Sequence, residues 1–83
     1  MVARHQAAAA ADLGALAGAR HAFSGEAAAC SYAAELVGAN HARLTACVLE
    51  GLDLVVTVEV DAGGPVRGLG TARAVARAGP VRP

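Results

Sequence analysis

The sequence predicts a small α+β domain in which an alanine-rich N-terminal helix and a second helix pack on a small antiparallel sheet, a hairpin plus a third strand. Three observations carry this reading. Residues 2–22 are dense in alanine and contain no proline, and alanine is the strongest helix former. A second helical stretch follows over 25–39. From Arg43 to Asp61 the period changes, and the alternation from Leu52 to Asp61 is the mark of a half-buried strand.

The first helix, 2–22, holds the alanine run Ala7 to Ala11 with Ala15, Ala17 and Ala19, and its only large aliphatic residues are Val2, Leu13 and Leu16. Its surface is therefore one of small residues. Ala10, Leu13, Gly14, Ala17 and Gly18 form a face suited to close packing against another backbone. The alternative is an ordinary alanine-rich helix that tolerates two glycines. Phe23-Ser24-Gly25 breaks the pattern. Ser24 is a fitting N-cap for the second helix, and Glu26 lies in the first turn, where the helix dipole favours a negative charge. Ala27, Cys30, Ala34 and Val37 recur at helical spacing as its apolar face, and Asn40 is placed to end it in a left-handed conformation.

Residues 43–49 and 52–61 read as two strands joined at Glu50-Gly51. Leu52, Leu54, Val56, Val58 and Val60 supply the inward face of the second. Two registers are open. A two-residue turn pairs Leu49 with Leu52 and Cys47 with Leu54, which turns Cys47 toward the core. A three-residue loop sets Val48 opposite Leu52, which gives a cleaner apolar face through Leu44, Ala46 and Val48 but turns Cys47 outward. Ala62-Gly63-Gly64-Pro65 breaks the chain, and Val66 to Gly70 reads as loop or a single turn. Residues 71–78 alternate as a strand does, although alanine and arginine favour a helix there; the third strand is assigned on the alternation. Residues 79–83 form a flexible tail.

With 83 residues the chain makes one domain, residues 1–78. The hydrophobic fraction of 55% overstates the core, because much of it is alanine, which buries little area per residue. A thin core raises the value of a covalent staple. The two cysteines, Cys30 and Cys47, suggest a disulfide in an oxidising compartment. Such a bond requires Cα atoms within about 7 Å and so selects the first register. Two free buried thiols are the alternative, and they gain weight in a reducing cytoplasm.

The formal net charge is zero and the basic residues, all arginine, are dispersed, so there is no electrostatic case for nucleic acid or an anionic membrane. No stretch is long and apolar enough to span a bilayer. The first 22 residues come nearest, but Arg4, His5, Asp12 and Arg20 interrupt them, and they lack the order of a signal peptide.

The run Ala3-Arg4-His5-Gln6 through Ala10-Ala11-Asp12-Leu13-Gly14-Ala15-Leu16-Ala17 resembles the juxtamembrane segment of TadE/TadG-like proteins of the tight-adherence (Flp) pilus system. There, an Ala/Gln-rich helix continues out of a transmembrane span. The remainder is similar to an actinobacterial branch of that family found in a helicase/secretion gene neighbourhood. Ala29-Cys30, Cys47, Val55-Val56-Thr57-Val58-Glu59-Val60 and the Ala/Arg run from Ala72 to Pro80 fall where that branch has its own counterparts. The resemblance covers nearly the whole chain. It implies a pilin-like fold on the extracytoplasmic side of the cell envelope and a non-enzymatic role in pilus or secretion assembly. The implied partners are other pilin-like or secretion-locus proteins, met through the N-terminal helix. It also implies a membrane span ahead of Met1, which the 83 residues do not include. The other reading is a small soluble binding module of the cytoplasm.

Enzymatic chemistry finds few groups to use. His5, His21 and His41 with the two cysteines fit no zinc spacing. No base is placed for a cysteine nucleophile. Gly63, Gly64, Gly68 and Gly70 lack the Lys-Ser/Thr of a phosphate loop. No catalytic residue, metal, cofactor or small-molecule substrate is expected.

Overall fold

The computed structural model describes residues 2–61 and 71–80. Helix α1 spans Val2–Ala19 and α2 spans Glu26–Ala39; strands β1 (Arg43–Glu50), β2 (Asp53–Asp61) and β3 (Thr71–Ala78) follow. The strands form one antiparallel sheet in the order β1-β2-β3. Two helices on one face of a three-stranded antiparallel sheet are the α+β arrangement expected. The expected breaker 62–65, the stretch 66–70 and the tail residues 81–83 lie outside the described residues.

α1 lies over β2 and β3, and α2 runs beside it toward β1. Ala7, Ala10, Ala11 and Ala15 of α1 are buried. Under them, β3 presents Ala72, Ala74, Ala76 and Ala78, paired with Val60, Val58, Val56 and Leu54. Alanine on both sides lets the helix axis come close to the sheet. Among the described residues the largest fully buried side chains are Leu54, Val37, Val56 and Val58; apart from these and Val60, every buried hydrophobic among them is an alanine. The thin core expected from composition is what the chain builds.

Four local expectations are corrected. α1 stops at Ala19 rather than 22, and a 3₁₀ turn over Ala22–Ser24 follows. Ser24 ends that turn and does not cap α2; the N-cap is Gly25, at φ 98°, which glycine adopts without steric cost. The buried face of α2 is Ala29, Ala33 and Val37, while Ala27 and Ala34 are exposed and Cys30 is half-buried. The left-handed residue after α2 is His41 (φ 60°), one position beyond Asn40 (φ −100°). His41 N–H donates to Gly38 O and Ala42 N–H to Val37 O, the two bonds of a Schellman motif. Asn40 contributes through its side chain, whose Nδ2 donates to Leu36 O at 2.8 Å.

The hairpin resolves the two registers in an unforeseen way. Its central residues are Gly51 and Leu52, with Glu50 opposite Asp53 and Cys47 opposite Val56. Gly51 has φ 63° and Leu52 does not have a positive φ; glycine at the first central position is the II′ pattern. Both expected pairings are therefore shifted, yet Cys47 faces the core as the two-residue turn required. The register then slips between Leu44 and Ala46. The extra residue, Thr45, is a β-bulge. Beyond it Leu44 pairs with Val58 and returns to the core side. Leu44, Cys47 and Leu49 all pack against the core, a combination no regular strand allows.

Candidate functional site

The disulfide is where the two halves of the fold are joined. Cys30 on α2 and Cys47 on β1 are bonded, with Cα atoms 5.9 Å apart. Next to it, the Leu49 N–H on the outer edge of β1 donates to Glu26 Oε2 at 2.8 Å. Glu26 thus serves both the start of α2 and an edge-strand donor that would otherwise face solvent. The covalent bond and this hydrogen bond pin β1 to α2.

The expected packing face of α1 divides in two. Ala10, Gly14 and Gly18 point inward. A methyl group on Gly14 would lie 2.7 Å from Val37 Cγ2, and one on Gly18 would overlap Leu54 Cδ2 and lie 2.6 Å from the Ala29 carbonyl oxygen. These glycines are where α1 crosses α2 within the same chain. Leu13 is exposed and Ala17 half-buried, on the side turned to solvent.

At the hairpin end of the molecule, Leu16, Ala19, Arg20, Phe23, Leu52 and Pro80 line an open groove of about 250 Å³. Phe23 is 90% exposed at its rim. Sequence reasoning passed over this groove; its one signal is the chain's only phenylalanine sitting in a Ser-Gly turn. Nearby, His21 stacks on Tyr32, with ring centroids 3.6 Å apart and planes 9° from parallel.

The outer face of the sheet carries cross-strand ion pairs. Arg43 bridges Glu59 and Asp61, Arg73 meets Glu59, and Arg77 bridges Glu50 and Asp53. The hydrogen bond to Asp61 chiefly raises the Arg43 pKa, as the bond to Glu50 raises that of Arg77. Raised guanidinium values add stability that is fully present at ordinary pH and is lost only as pH climbs through the raised folded value. Exposed pairs of this kind contribute little to stability; here they match opposite charges between neighbouring strands and, through Arg77 and Glu50, from β3 to β1. Asp53 is nearly buried, packed over Gly79.

His5 lies on α1, His21 in the turn after it and His41 after α2. Among the described residues no three His, Cys, Asp or Glu side chains converge as a metal site. No helix among them is long and apolar enough to cross a membrane. No family model, curated protein or solved structure matches the chain.

Proposed function

We propose that this protein is a non-catalytic assembly subunit of the cell envelope: a minor pilin-like or accessory protein of a tight-adherence (Flp) pilus or secretion system. It acts by packing against other pilin-like or secretion-locus proteins. What supports this most is the build of α1. An alanine-rich helix opens the chain, one side of it fills the core, and the side carrying Asp12, Leu13 and Leu16 is left exposed. The Ala10–Ala17 run that resembles the TadE/TadG-like juxtamembrane motif lies within this helix. The disulfide adds support for an oxidising compartment.

The test is made on the gene in its chromosomal setting. Cells are treated with an alkylating agent before lysis and then fractionated. The protein is expected with the envelope, with Cys30 and Cys47 protected from the reagent, and deletion of the gene is expected to reduce pili or secretion by the locus. A cytosolic protein with two alkylatable thiols would overturn the reading in favour of the soluble binding module. So would a deletion without effect on assembly.

A further inference from the structure

The outward side of α1 has a charge pattern that no group among the described residues answers. Ala8, Asp12, Leu16 and Arg20 follow one another at intervals of four and are all exposed. They form a single i±4 ridge along the helix surface and its first following turn. Leu16, at the middle of the helical part, is 57% exposed, and Leu13 beside it is 44% exposed. Among the described residues, neither Asp12 nor Arg20 takes part in an ion pair.

We propose that this ridge is a self-association surface, and that its occupant is the same ridge of a second copy of this chain in the antiparallel sense. The two-fold axis passes beside Leu16. At 1.5 Å per residue, Asp12 and Arg20 stand about 6 Å to either side of it. The two-fold therefore sets Asp12 of each copy at the level of Arg20 of the other, and both pairs form at once. Two i±4 ridges lie alongside each other when the helix axes cross at about 50°, the commonest class of helix packing. The two Leu16 side chains meet at the centre. A parallel pairing fails on the same residues, since it sets Asp12 against Asp12 and Arg20 against Arg20.

One helix pair covers less than the roughly 1,200 Å² of a standard stable interface. The dimer is therefore weak and depends on concentration. It sends the two N-termini to opposite ends and so stands apart from the pilus reading, in which copies held in one membrane by their N-termini would lie parallel. Failure here leaves that reading where it was, while success gives the exposed side of α1 another occupant and leaves the pilus reading to the fractionation and deletion test alone.

Sedimentation velocity on the 83-residue protein, followed up to about 1 mM, is the measurement. Wild type should shift from monomer to dimer. D12R and R20D should each weaken association about tenfold, because each turns both symmetry-related attractions into repulsions. The double reversal D12R/R20D should restore it, and Leu16→Lys should abolish it. Asp12, Leu16 and Arg20 are exposed, so circular dichroism of each variant should match wild type. A wild-type protein that stays monomeric throughout overturns the proposal, as does a double reversal no better than the single ones.

Discussion

Gly18→Ala should destabilise the domain, although helix propensity predicts the opposite. In a helix interior the change from glycine to alanine is worth about 1 kcal/mol in favour of folding. Against it stands the geometry of the crossing. The added methyl would lie 2.6 Å from Ala29 O and 3.2 Å from Ala33 Cβ, and would overlap Leu54 Cδ2. Leu54 is fully buried and has little room to turn away, and a backbone carbonyl cannot rotate at all. The helices must separate, and overpacking of this kind costs about 1–3 kcal/mol, occasionally more. With a carbonyl involved the upper end applies, for a net loss of about 2 kcal/mol. For a domain of this size that lowers the melting temperature by roughly 10 °C. Two further glycines calibrate the result. Gly14→Ala meets mainly the Val37 side chain, at 2.7 Å, while Gly38→Ala meets nothing within 4 Å. Thermal and urea unfolding with the disulfide intact should rank the variants Gly38→Ala above wild type, Gly14→Ala lower, and Gly18→Ala lowest. If Gly18→Ala proved as stable as Gly38→Ala, the close crossing would be refuted and propensity alone would govern α1.

Other perturbations test the remaining contacts. Cys30→Ala and Cys47→Ala should each cost about 3 kcal/mol, from the chain-entropy model for a loop closed over 17 residues; urea unfolding of the double variant should show no further loss, since either change breaks the same bond. Deleting Thr45 should remove the bulge and leave β1 a regular strand, with Leu44 still opposite Val58 and Arg43 still opposite Glu59. Its measure is amide hydrogen exchange, with protection of β1 retained; loss of that protection would show that Thr45 is more than an extra residue. Val37→Ala should cost about 2–3 kcal/mol in urea unfolding, from two buried methyl groups and the cavity they leave.

The element order was legible in the sequence because it depends on strong signals. The alternation from Leu54 to Val60 and from Ala72 to Ala78 sets the strands, and the alanine run sets α1. The face of α2 was not legible, for a physical reason. Ala27, Ala29, Ala33 and Ala34 are the same side chain, so periodicity has no contrast in size or polarity to work on; only the shape of the neighbouring helix decides that Ala29 and Ala33 go inside. The turn chemistry misled in a related way. Ser24 and Asn40 are the usual capping residues, but the backbone needed positive φ one residue later, at Gly25 and His41. Of the packing residues singled out on α1, Gly14 and Gly18 mark a close helix crossing. That the crossing lies within this chain rests on the position of α2, which no local pattern encodes.

The bulge and the disulfide answer one need. α1 covers β2 and β3, where facing alanines allow close approach, and β1 lies beyond its reach. An edge strand so placed has only its ladder and the flank of α2 to hold it. A regular β1 could turn either Leu44 or Cys47 and Leu49 toward α2, but not all three. Thr45 breaks the alternation, so that Leu44 adds burial at one end while Cys47 bonds Cys30 and Leu49 meets Glu26 toward the other. The staple therefore stands where alanine packing is thinnest. Reduction should loosen β1 first and leave α1 on β2 and β3, an order that hydrogen exchange with and without reductant would reveal; uniform loss of protection across the sheet would show instead that the bond supports the whole domain equally.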